Sequence, residues 1–220
     1  MARKKHTQDD KVLELYYRSV EYFNENRKRV YTILTIIVLL GAAAFIYMKG
    51  RQEKSENAMM ELAKTQEVYN AGSYQQAING DSLGFSKGLL YIVNEFGSTE
   101  SGETAKILLA NSYYNLRDFG NAERYFSDYS GSDVILKAAA IAGAASVKGA
   151  NGNFVEAAKE YEKAAGVSED VAINDEYLYL AAMNYSKAND KENFDRVSAL
   201  LKNDYPASTY IMQLQRYKIN

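Results

Sequence analysis

The stretch Asn115-Leu-Arg-Asp-Phe119-Gly-Asn-Ala122-Glu-Arg-Tyr-Phe126 returns as Asn151-Gly-Asn-Phe154-Val-Glu-Ala157-Ala-Lys-Glu-Tyr161, its aromatic and alanine repeating thirty-five residues on. A third segment, Lys191-Glu-Asn-Phe194-Asp-Arg-Val197-Ser-Ala-Leu-Leu201, follows forty residues after the second, with the extra length assigned to the polar stretch Val167–Glu176. A degenerate start is visible at Asn70-Ala-Gly-Ser-Tyr74-Gln-Gln-Ala77. Each copy has a polar turn, an aromatic residue, a small or β-branched residue three later, and an aromatic residue or leucine four beyond that. A period of this length accommodates two helices and their turns.

The wider composition agrees with a helical chain. One Pro in 220 residues leaves helix interiors unbroken, and Cys and Trp are absent while Tyr occurs nineteen times. Without cysteine there is no disulfide framework, thiol nucleophile or cysteine zinc site, and a single His (His6) removes most triads and histidine metal sites. A net charge of −2 gives nucleic acid no support. No cofactor and no metal are expected.

One segment departs from the average. Val30–Met48, VYTILTIIVLLGAAAFIYM, runs nineteen residues without a charge. At 1.5 Å per residue it is roughly 28 Å of helix, near the hydrocarbon thickness of a bilayer. Arg27, Lys28 and Arg29 precede it, Lys49 and Arg51 follow, and Tyr31 and Tyr47 stand near its ends, where amphipathic rings favour the interface. Ala42-Ala43-Ala44 imitates a signal-peptide cleavage site, but Phe45–Met48 continue the apolar run, so a retained anchor in the lipid bilayer is expected. Eight Lys/Arg before the segment against three in the fifteen residues after it place the N-terminus in the cytoplasm and the rest across the membrane. The expected organisation is therefore a cytoplasmic tail at 1–29, a transmembrane helix at 30–48, a juxtamembrane helical linker at 49–57 and a periplasmic repeat domain at 58–220. Within the tail, Asp9 or Asp10 is expected to cap a short amphipathic helix reaching Asn26. Its stripe of Val12, Leu13, Tyr16, Val20 and Phe23 is suited to the headgroup region or to a membrane partner, or merely prolongs the transmembrane helix.

The repeat resembles the tetratricopeptide repeat (TPR). Leu109, Ala110 and Tyr113 match the large, small and aromatic sites of that family's first helix; Phe119, Ala122 and Phe126 match its second. Ala144 and Ala145, then Phe154, Ala157, Tyr161 and Ala164, match the next copy, and Phe194 marks the third. Tyr129 stands where the family prefers alanine and Lys148 at an aromatic site. The resemblance implies an all-α fold: a single transmembrane helix, then a TPR-like α-solenoid of about four helix pairs, with Ser208–Lys218 as a C-terminal capping helix.

Tail, single span and repeat domain together resemble the YfgM-type accessory subunits of the bacterial Sec translocon, and Ala77–Phe85 with Ile92–Ala105 resembles membrane-anchored TPR proteins of the Bacteroidetes–Chlorobi group. The resemblance implies an inner-membrane protein that associates with Sec channel subunits and a membrane-anchored periplasmic chaperone and assists exported client proteins. A scaffold in another cell-envelope or secretion complex is the alternative. In TPRs the groove is lined by first helices, which maps here to Ile107, Asn111, Tyr114, Ala142, Ser146, Tyr179, Ala182 and Ser186. Tyr113, Tyr161 and Tyr185 read as core; Tyr114 and Tyr179 are open between core and binding.

Two other readings are disfavoured. A carboxylate clamp needs Lys or Arg beside Asn on the groove face, yet Asn111 neighbours Ile107, with Ala142 and Ala182 at the later sites. Gly80-Asp81-Ser82-Leu83 spells the nucleophile block of GDSL esterases, but its only histidine, His6, falls on the other side of the expected membrane. Glu160 and Glu162 read as solvated helix faces.

Overall fold

The computed structural model describes residues 8–169 and 171–219, with side chains from Lys11 onward; His6 lies outside them. Its regular secondary structure among the described residues is all helical, and it divides into two compact units, 1–53 and 54–220.

The first unit holds α1 (Gln8–Glu25) and the start of α2 (Arg27–Asn70). Asp9 and Asp10 fall within α1, which already includes Gln8. The apolar segment of α2 is long and apolar enough to cross a membrane, and none of it is buried. Its threonine hydroxyls are satisfied on the helix itself, Thr32 donating to the Lys28 carbonyl at 2.8 Å and Thr35 to that of Tyr31 at 2.9 Å.

The second unit is built from helices that pack on their neighbours in chain order: α3 (Tyr74–Asn79), α4 (Leu89–Phe96), α5 (Glu100–Asn115), α6 (Phe119–Ser127), α7 (Val134–Ala150), α8 (Phe154–Ala165), α9 (Asn174–Lys187) and α10 (Lys191–Asp204). In addition α5 touches α7, so alternate helices meet. A short helix α11 (Tyr210–Gln213) and a 3-10 turn (Leu214–Tyr217) close the chain against α9 and bury Leu214.

Among the described residues the same turn occurs four times. Gly72, Arg117, Gly152 and Asn189 all have positive φ, at 75, 62, 83 and 57°. At each, that residue's N–H donates to the carbonyl three back, and the next residue's N–H to the carbonyl five back. This is the Schellman ending of a helix. The next residue (Ser73, Asp118, Asn153 or Asp190) also occupies the N-cap of the following helix. Asp118 and Asp190 use their carboxylates to accept from the backbone N–H of Asn121 and Asn193 at 3.2 and 3.1 Å.

This turn fixes the register of the repeats. Five residues beyond the positive-φ residue stand Ala77, Ala122, Ala157 and Phe194, all buried. Phe194 therefore fills the alanine position rather than the aromatic one, where Lys191 stands: the expected third copy was out of register by three residues. Phe194 misled because it is the first apolar residue after the turn. In the corrected register the last two turns are thirty-seven residues apart, not forty. The interval from Gly72 to Arg117 is forty-five, and most of its excess is the Gly80–Gly88 loop between α3 and α4.

Small residues let the helices close. Ala110, Ala122, Ala145, Ala157, Ala158, Ala164 and Ala181 are fully buried. A Cβ on Gly143 would lie 2.2 Å from Cε1 of Phe126, so α7 carries glycine where α6 presses its ring.

Candidate functional site

The face assigned to the first helices divides into three parts. Ile107 is 5% exposed and belongs to a cluster with Leu62, Ala77, Ile78, Leu89 and Leu109. Being apolar and next to that core, it packs inward and offers nothing to a ligand. Ala182 (0% exposed) and Ala142 (6%) are likewise core. Asn111, Tyr114 and Ser146 remain part-exposed. The Tyr114 ring leans on Phe119, centroids 5.5 Å apart, as Tyr69 leans on Tyr74 at 5.6 Å at the same turn position one repeat earlier. The Ser146 hydroxyl bonds the Tyr161 hydroxyl at 2.7 Å and the Ala142 carbonyl at 3.0 Å. Burial pushes the Tyr161 hydroxyl's pKa up.

The third part is covered by the chain itself. Tyr179 stacks on Tyr210, centroids 4.9 Å apart, and meets Tyr217 edge-on at 6.1 Å. Ser186 donates to the Tyr217 carbonyl. The expectation that Tyr179 and Ser186 face a partner overlooked this segment, because nothing in their own helix signals it. Tyr113 is shared between core and surface, stacked parallel on Tyr125 at 5.7 Å, whereas Tyr161 and Tyr185 are buried.

Glu160 and Glu162 are not free solvated carboxylates. Glu160 pairs with Lys148 at 3.2 Å and Lys163 at 3.4 Å, joining α7 to α8. Glu162 accepts from Arg196 twice and from the Tyr185 hydroxyl at 2.7 Å, joining α8, α9 and α10. Burial pushes the Glu162 carboxyl up, but the bonds from Arg196 and Tyr185 outweigh it and hold it below the usual range. Glu103 is similar: Lys106 at 2.6 Å and the N–H and hydroxyl of Ser130, both at 2.8 Å, tie α5 to the loop before α7. A cleft of about 360 Å³ opens beside the Glu160 pairs, with Phe126, Ala140, Ile141 and Ala144 as apolar lining and Glu123, Lys137, Lys148, Glu160 and Lys163 as charged lining. Sequence reading missed it because its walls come from three helices.

The Asp81 carboxylate organises the Gly80–Gly88 loop. It accepts from the N–H groups of Leu83 at 2.8 Å, Phe85 at 3.1 Å and Ser86, and its pKa is lowered mainly by the Ser86 bond. The Ser86 hydroxyl bonds Thr65 at 2.7 Å, anchoring the loop to α2. Leu83, at the loop's tip, is 93% exposed. Among the described residues no group of three His, Cys, Asp or Glu side chains converges to hold a metal. Compared with protein-family models, curated proteins and solved structures, the chain finds no match in any of the three.

Proposed function

We propose that the chain is a membrane-anchored TPR-type protein that acts by binding other proteins. The observation that carries this reading is the four-fold recurrence of one Schellman turn with a buried small or apolar residue five positions on. A helix pair repeated in this way cannot bury its apolar faces alone and does so against its neighbours, leaving extended surfaces for contact. The part-exposed Asn111 and Tyr114 suit peptide recognition, an amide and a broad ring without strong charge, while the Ser146 hydroxyl beside them is engaged with Tyr161 and Ala142. The bare apolar segment of α2 supports anchoring in the inner membrane, with its cationic N-terminal flank supporting a cytoplasmic N-terminus and a periplasmic repeat unit. We read the role as non-catalytic, and Asp81 of the Gly80–Leu83 block as an organiser of its own loop, its carboxylate accepting from backbone N–H groups.

Within that reading we assign the chain as an ancillary subunit of the Sec translocon, working with a membrane-anchored periplasmic chaperone on exported clients. The likeness of tail, span and repeat unit to YfgM-type subunits supports the assignment. Affinity purification of the full chain in mild detergent tests it. Recovery of Sec channel subunits is the expected result, and enrichment of other envelope machinery without them favours a scaffold of another complex. Protease added to spheroplasts tests the topology, with digestion of the repeat unit expected.

A further inference from the structure

The chain bends at Asn26. A straight helix would separate residues eight apart by about 12 Å along its axis, yet the rings of Phe23 and Tyr31 meet with centroids 5.8 Å apart. The side-chain amide of Asn26 donates to the Tyr22 carbonyl at 3.1 Å, which the Asn26 backbone N–H also uses at 2.9 Å. A side chain competing within the ladder is a known origin of a bend. Helix α1 is therefore not a straight prolongation of the apolar segment.

The direction of the bend is informative. At 100° per residue, Leu15, Val12, Phe23, Tyr16, Val20 and Leu13 lie on one arc of α1, and Lys11, Glu14, Arg18, Glu21 and Glu25 on the opposite stripe. Phe23 lies near the middle of the arc, and the bend closes on its side, toward Tyr31, the second residue of the apolar segment. Val20 and Phe23 are accordingly the least exposed large apolar residues of α1, at 38 and 37%, against 65% for Val12 and 63% for Tyr16. The arc is turned toward the flank of the apolar segment. The junction carries Arg27, Lys28 and Arg29 in sequence.

We infer that α1 lies in the headgroup layer of a phospholipid bilayer with this arc against the acyl chains, as a foot beside the anchor; the inference rests on the anchor reading above. For a segment crossing a bilayer, the surface around Tyr31 is the border between hydrocarbon and headgroups, and Phe23 packed on it brings α1 to that depth. The outer stripe of α1 has two cations and three anions, so apolar burial holds the helix down and the cationic row 27–29 meets lipid phosphates.

The absence of native cysteine makes the test direct. Single variants Val12→Cys, Tyr16→Cys, Glu14→Cys and Glu21→Cys of the full chain are labelled with an environment-sensitive fluorophore. They are reconstituted in phosphatidylethanolamine–phosphatidylglycerol vesicles, with Ile37→Cys marking the anchor. Labels at 12 and 16 are expected to shift to the blue, to lose most of their emission to brominated lipid and to resist iodide; labels at 14 and 21 are expected to do the reverse. Equal iodide quenching at all four positions overturns the proposal. Protection of 12 and 16 from both quenchers also overturns it, because protein, a second copy or a partner, then covers the arc. If the label at 37 also escapes brominated lipid, the anchor reading itself fails, which distinguishes the two failures.

Discussion

The guanidinium of Arg196 grips the carboxylate of Glu162 across thirty-four residues, Nη1 to Oε2 at 2.7 Å and Nη2 to Oε1 at 2.8 Å, and so ties α10 to α8. The fork geometry makes the pair directional, and the Tyr185 hydroxyl completes the coordination of the same carboxylate. Arg196→Ala leaves a largely buried carboxylate short of its main partner. Because the arginine is half exposed, the expected loss is modest, about 1 kcal/mol by denaturant titration. The folded Glu162 pKa lies below its unfolded value, so the pair stabilises above the ordinary glutamate range and that contribution is lost as pH falls through the depressed value. The gap between wild type and variant is thus expected to be full at pH 7 and to close as pH falls below the ordinary glutamate range. A gap independent of pH contradicts this account.

Gly143 and Gly120 give a matched pair of substitutions. Gly143→Ala drives a methyl into the Phe126 ring and is expected to cost about 1–3 kcal/mol, as overpacking does. At Gly120, on α6, a Cβ would meet nothing closer than an Asp118 oxygen at 4.0 Å, so Gly120→Ala is expected to stabilise by up to about 1 kcal/mol. Thermal melts of the two variants in one detergent decide it.

The positive-φ positions predict opposite signs for glycine exchange. Arg117 sits at φ 62° with a side chain that gains nothing from that conformation, so Arg117→Gly is expected to raise stability by roughly 1 kcal/mol. Gly152→Ala, at φ 83°, is expected to lower it by about the same amount. Asn189→Gly should change it less, because asparagine tolerates the left-handed region.

Asp81→Ala is expected to free the Gly80–Gly88 loop. Amide hydrogen exchange at Leu83, Phe85 and Ser86 should accelerate, with Ser82→Ala leaving it unchanged. In the wild type, protection should persist as pH falls through the ordinary aspartate range and fail only below it, since the folded carboxyl is held low. Rapid exchange at those amides in the wild type at neutral pH contradicts the assignment.

Much of the helical pattern was legible because Phe119, Ala122 and Phe126 recur with the spacing of a helix face, and Phe154, Ala157 and Tyr161 repeat it. The third copy misled because hydrophobicity alone does not reveal register: Phe194 fills a slot that is alanine elsewhere, and the reliable marker, a left-handed turn residue, is Gly, Arg, Gly and Asn in the four copies. The candidate face was the less legible part. Ile107 was misassigned since helical spacing gives a face but not what covers it, and Tyr179 and Ser186 are covered by Tyr210 and Tyr217, some thirty residues away in sequence. The Glu162–Tyr185–Arg196 link was hidden for the same reason, its three members coming from three helices.

A single residue at each of the four turns both finishes one helix and begins the next, which leaves no slack in the backbone there. Adding even one amino acid at 116–118 or 151–153 would separate the two duties and swing the following helix out of step. The connections at 80–88, 128–133 and 166–173 have no such double obligation. Two of them are nonetheless tied down, 80–88 through Asp81 and Ser86 and 128–133 through Ser130, so the room to change length lies at an exposed tip such as Leu83, the place to seat a reporter peptide or an affinity tag.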